Sequence, residues 1–75
     1  MNPFENFHII NEYKQNQKRI YVSEYNGHKY IHFREYFKPD DKDEFIPTKK
    51  GMTLFGNQEN IQKVIEALQE IIKEI

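Results

Sequence analysis

Rings and cations recur at alternate positions along two short runs near the middle of the chain, and no acid stands at those positions. Arg19, Tyr21, Ser23 and Tyr25 stand at every second position before Asn26-Gly27; His28, Tyr30, His32, Arg34 and Tyr36 do so after it. In an extended strand every second side chain points the same way, so each set lines one face. Aromatic rings interleaved with cations on a strand surface suit stacking on bases and neutralising phosphates. Tyr21, Tyr25, Tyr30 and Tyr36 supply the rings, and Arg19 and Arg34 supply the charge. Like charges directly opposite in a hairpin are unfavourable, so an Arg19–Arg34 pair argues for an anion between them. The alternative is a tyrosine-rich face packed against the N-terminal arm or a partner, since tyrosine also favours strands for packing reasons.

The other polar groups suggest less chemistry. Thr48-Lys49-Lys50-Gly51 places two lysines beside a glycine, which suits a backbone-phosphate clamp or a solvated sheet edge. His28 and His32 share a face but lie ~13 Å apart along a strand, too far for one ion. Asp40-Asp41-Lys42-Asp43-Glu44 lacks the spacing and central glycine of a calcium loop. Ser23 is the only serine, and no base and orienting group can be assigned to it. The expectation is a non-enzyme with no metal and no cofactor.

The elements that must position these residues follow from the turns and periods. Asn-Gly between alternating runs is a strong hairpin signal, because both turn residues need positive φ. Pairing Tyr25 with His28 sets Ser23 opposite Tyr30, Tyr21 opposite His32 and Arg19 opposite Arg34. Lys18, Ile20, Val22, Glu24, Lys29, Ile31, Phe33 and Glu35 then occupy the other face. Toward the C-terminus, Ile61, Val64, Ile65, Leu68, Ile71, Ile72 and Ile75 recur at three- and four-residue spacing, one apolar stripe of a helix. Asn57 suits its N-cap and Glu59 its first turn. So many branched aliphatics exceed what one small sheet covers, so the stripe reads as packing on the sheet and on a second copy; an intrachain core helix is the plainer alternative.

Phe4, Phe7, Ile9 and Ile10 suggest a short strand or arm, and polar Asn11–Gln17 a loop. Lys38–Asp43 reads as a turn. Phe45-Ile46 resumes an extended run that Pro47 confines to an edge or bend, and Met52–Phe55 forms a last strand. The fold class is α+β. One domain spans 1–75: arm or strand and loop over 1–17, sheet over 18–55 and helix over 57–75.

The 75-residue chain carries no cysteine and a formal net charge of −1. That balance argues against a generic basic binder, but the charge is segregated. Residues 58–75 are net −2 and residues 40–44 net −3, leaving +4 for the rest, strands included. The N-terminal residues do not read as a signal peptide, and no run is long and apolar enough to span a membrane. A cytoplasmic location is expected.

Lys18-Arg19-Ile20-Tyr21-Val22-Ser23-Glu24-Tyr25-Asn26-Gly27, with Ile31-His32-Phe33-Arg34-Glu35-Tyr36-Phe37 after it, resembles the core hairpin of the positive cofactor four family of transcriptional coactivators. Pro47-Thr48-Lys49-Lys50-Gly51-Met52-Thr53-Leu54 is similar to that family's basic strand, and an amphipathic helix follows in the family's order. The resemblance covers residues 18–75 and looks like a compact bacterial or phage member, nucleoid-associated or in the host cytoplasm respectively. It implies a curved antiparallel sheet of about four strands, one helix, and a homodimer joined through the helix stripe. It also implies sequence-tolerant binding of single-stranded DNA, in contact with transcription or replication machinery. Tyr25 and Phe37 match base-contacting positions; Arg19, Lys49 and Lys50 match backbone-contacting ones. In a straight register Phe37 faces away from Tyr25. Both line one channel only if a bulge intervenes near Glu35–Phe37 or the strand end curls over the sheet edge. RNA binding and a protein-docking role for the tyrosine face are the competing readings.

Overall fold

The computed structural model describes residues 7–75. The expected arm residue Phe4 lies outside the described residues. Strands β1 (Phe7–Tyr13), β2 (Asn16–Tyr25), β3 (His28–Phe37) and β4 (Ile46–Phe55) form one antiparallel meander, and helix α1 (Gln58–Glu74) follows. The α+β class and the four strands agree with the sequence.

The central hairpin has the expected register throughout, from Tyr25 opposite His28 to Arg19 opposite Arg34. Asn26 (φ 52°) and Gly27 (φ 77°) both take the left-handed conformation that a two-residue hairpin turn of this hand requires.

The expected loop over residues 11–17 is a correction. β1 continues to Tyr13 and β2 begins at Asn16, joined through Lys14 (φ 54°) and Gln15, so the sheet starts at Phe7 rather than at Lys18. β1 is an edge strand, exposed from His8 to Tyr13, and so needs no apolar alternation. The pairing also slips between Ile9 and Asn11, where the extra residue Ile10 breaks the period.

β4 is the opposite edge, which accommodates Pro47 without losing an interior hydrogen bond. Its junction with α1 is tightly tied. The Gly56 amide donates to the Lys29 carbonyl at 2.7 Å, and a side chain at Gly56 would meet that oxygen at 2.8 Å. Asn57 caps the helix, its side-chain oxygen accepting from the Asn60 amide at 2.8 Å. Glu59 in the first turn and Lys73 in the last complement the helix dipole.

The core sits on the tyrosine face: Tyr21 and Tyr36 are the buried hydrophobic residues among those described, with Gln17 beside them. α1 buries none of its residues. The chain's own sheet therefore does not cover the apolar stripe, which corrects the packing on the sheet read from the sequence.

Candidate nucleic-acid interface

The face of β2 and β3 that carries the tyrosines has two unlike halves. At the Gln17–Tyr36 end it is closed. Tyr21 and Tyr36 are only 6% and 3% exposed. Tyr21 stacks on His32 with ring centres 4.7 Å apart and meets Tyr36 edge-on at 6.4 Å. The Arg19 guanidinium lies between the rings of Phe7 (4.0 Å) and Tyr36 (4.2 Å), with Phe45 at 5.4 Å. Its Nε and Nη2 both donate to the Gln17 side-chain oxygen, at 3.0 and 2.8 Å. Burial, and next the hydrogen bond with Tyr21, push the Tyr36 hydroxyl up to about 12, so it stays protonated at any physiological pH.

This arrangement revises the roles of three residues. Tyr21 and Tyr36 do not offer open ring faces; they are the floor of the site. Arg19, half-buried, is held by rings and an amide, so its place opposite Arg34 needs no anion between the two. The chain after β3 helps to close this end. The Lys38 amide donates to the Gln15 carbonyl at 2.9 Å, the Gln15 side chain donates to Asp40, and Phe45 reaches Arg19.

At the hairpin end the face is open. Tyr25 is 69% exposed and Phe55 45%. Tyr30, half-buried, meets Phe55 edge-on with ring centres 5.8 Å apart, and exposed His28 lies 5.7 Å from Phe55. Between the two ends stand His32 and Arg34. His32 is held on both ring nitrogens, Nε2 against Ser23 Oγ at 2.6 Å and Nδ1 against Thr53 Oγ1 at 3.3 Å. Burial, and then the Arg34 charge, lower its pKa, so it is neutral at pH 7. Arg34 is half-buried and has no hydrogen-bond or ion-pair partner among the described residues. Along β3, Arg34 lies ~20 Å from His28, a span of a few nucleotides.

The two lysines are placed by a bulge in β4. Arg34 pairs with Gly51 and Tyr36 with Pro47, so Thr48, Lys49 and Lys50 together oppose Glu35. Thr48 repairs the interrupted ladder: its hydroxyl donates to the Glu35 carbonyl at 2.8 Å and accepts from the Lys50 amide at 3.2 Å. Gly51 closes the bulge at φ 150°, where an added Cβ would stand 2.2 Å from the Phe33 carbonyl oxygen. Lys49 and Lys50 are left exposed at the sheet edge.

The bulge is thus in β4, not in β3. β2 and β3 pair without a break as far as Asn16 opposite Phe37, so Phe37 falls on the face opposite Tyr36. It can join a channel on the tyrosine face only from the end of its strand. Of the predicted site residues, Tyr25 and Tyr30 share the hairpin end of the face, and Arg34 stands between that end and the closed one. Phe55, Phe45, Gln17 and Thr48 were missed. The contacts of Phe55, Phe45 and Thr48 join segments distant in sequence, whereas Gln17 bonds Arg19 two residues along the same strand; Phe55 does fall at the alternating position of its strand. Among the described residues no cluster of acids and histidines could hold a metal ion, and no helix is long and apolar enough to cross a membrane.

Comparison with known proteins agrees with this architecture. The family model for transcriptional coactivator p15 (PC4) matches residues 13–67. A bacteriophage T5 homologue of the eukaryotic transcription coactivator PC4, implicated in recombination-dependent DNA replication, aligns with a TM-score of 0.77 and 29% identity, over 92% of this chain and 77% of that one. A PC4 homologue from Burkholderia pseudomallei K96243 shares the fold, with a TM-score of 0.73 and 23% identity over 95% of this chain and 96% of that one. No curated protein matches the chain significantly in sequence. The matched segment takes in the last residue of β1, the other three strands, the β4 bulge and more than half of the helix, and the chain belongs to the transcriptional coactivator p15 (PC4) family.

Proposed function

We propose that this chain binds single-stranded DNA with little sequence preference, as a transcription-regulatory or DNA-processing accessory protein. The observation that carries the reading is Arg34: a half-buried guanidinium with no hydrogen-bond or ion-pair partner among the described residues, on a face of β2 and β3 that bears no acid. An unpaired cation so placed is stabilised by an incoming anion, and the open ring of Tyr25 lies along the same face to stack bases, with half-buried Tyr30 beside it. Lys49 and Lys50 extend the positive charge at the edge. The T5 homologue's link to recombination-dependent DNA replication supports a DNA-processing role.

The same reading pairs two chains through α1. Leu68 is 55% exposed, Ile72 72%, and Ile61, Ile65 and Ile71 between 40% and 45%. A second copy would cover the stripe, and a dimer offers two faces to one strand.

Titration of a fluorescent single-stranded oligonucleotide at several salt concentrations tests the role of Arg34. Arg34→Gln should weaken binding and make the salt slope shallower by about 0.7, the share of one phosphate on a single strand. An unchanged affinity and slope would remove Arg34 from the interface.

A further inference from the structure

We propose that Phe55, with His28 against it, is a base-stacking step at the hairpin end of the face, taking an unpaired nucleobase from the same strand whose phosphates meet Arg34. The inference rests on the single-stranded-DNA reading and adds to it a residue and a chemistry.

Three observations lead to it. First, Phe55 is 45% exposed although it ends an ordered strand. Second, its backbone is fixed more firmly than its exposure suggests. Its carbonyl accepts from the Asn57 amide and from the Asn60 side-chain amide, each at 3.0 Å. The next residue, Gly56, is drawn against β3 by its bond to the Lys29 carbonyl, in a space that admits no side chain. Phe55 also sits opposite Tyr30 in the ladder. An exposed ring held in place in this way is pre-organised, so little ordering cost remains to be met on binding. Third, its neighbours shape a place for a flat ligand. Tyr30 stands at 88° to the Phe55 ring and supports it from one side. The His28 ring is tilted at 50° to it, 5.7 Å away, and exposed, as is Tyr25 beyond. A nucleobase stacked on Phe55 gains a second aromatic surface there.

The occupant follows from position. The nest lies on the tyrosine face, continuous with His32 and Arg34, so a strand with a phosphate at Arg34 carries a base to Phe55 within a few nucleotides. The rings present no hydrogen-bonding pattern that selects one base, which fits a stacking step and not a reader of sequence.

The chain contains no tryptophan, so Phe55→Trp gives it a single reporter at this position. Saturation with oligo-dT of about 20 nucleotides, followed independently by anisotropy, should quench that emission strongly. Phe55→Leu, which keeps bulk but not the aromatic face, should weaken binding by about 5- to 150-fold, the loss of one stacked base. Its salt slope should stay at the wild-type value, because no phosphate contact is lost. Saturated binding without quenching, or Phe55→Leu binding as wild type does, would overturn this inference and leave the broader function standing. Failure of the wild-type chain to bind the oligonucleotide would overturn both.

Discussion

Gly51 and Gly27 make a matched pair of tests for how the basic edge is built. Both have positive φ, 150° and 77° respectively, but their surroundings differ. A methyl group at Gly27 meets nothing within 4 Å. Gly27→Ala therefore costs backbone strain alone, about 1–2 kcal/mol. A methyl group at Gly51 would stand 2.2 Å from the Phe33 carbonyl oxygen and 2.9 Å from the Arg34 Cα, both backbone atoms that cannot rotate away. β4 must then part from β3 beside Arg34. Strain of about 1–3 kcal/mol is joined by the loss of one or two ladder hydrogen bonds at about 1 kcal/mol each. The total is about 2–5 kcal/mol, and 1 kcal/mol moves the midpoint of a chain this size by about 4–8 °C. Thermal melting followed by circular dichroism should show Gly51→Ala at least about 8 °C below wild type, or unfolded, with Gly27→Ala between. Equal midpoints for the two variants would refute the reasoning, since conformation alone would then decide.

Three further perturbations follow. Leu68→Asp places a charge in the middle of the exposed stripe and should give monomers or unfolded chain by light scattering; a stable folded dimer would remove the stripe from the interface. Arg19→Lys loses the guanidinium contacts with the Phe7 and Tyr36 rings and the two hydrogen bonds to the Gln17 oxygen, so it should cost about 1–3 kcal/mol of stability; melting at the wild-type temperature would show these contacts to be incidental. His32 has a folded pKa below its ordinary 6.5 through burial and then Arg34, so the folded chain binds fewer protons than the unfolded one. Its contribution to stability is complete above pH 6.5 and is lost as the pH falls below that value. The midpoint difference between wild type and His32→Gln should therefore shrink from pH 8 to pH 5, and a constant difference would contradict this.

The central hairpin was legible because Asn26-Gly27 admits one turn geometry, and that turn fixes every pair from Tyr25–His28 to Arg19–Arg34. The helix was legible from its stripe and from Asn57. β1 was cut short because the Lys14-Gln15 turn has no glycine and an edge strand can be polar throughout. The tyrosine face was correctly assembled, but alternation says which side a ring is on and not whether something covers it. Phe7 from β1 and Phe45 from the β3–β4 connection meet Arg19 at the closed end, and neither contact has a local signal. Arg19 shows the same limit: a like-charge pair suggested an anion, while the structure relieves it with rings and Gln17. A bulge near Glu35–Phe37 was one of two ways, with a curled strand end, to bring Phe37 onto the face of Tyr25. The bulge lies in β4, where Thr48 supplies the missing hydrogen bonds.

Binding of a fluorescent oligo-dT of about 20 nucleotides, measured by anisotropy in low and moderate salt beside a duplex of the same length, tests the account most directly. It predicts preference for the single strand that weakens steeply with salt. Absence of binding in low salt, or equal binding of duplex, would contradict a stacking face and would point to a protein partner on the tyrosine surface.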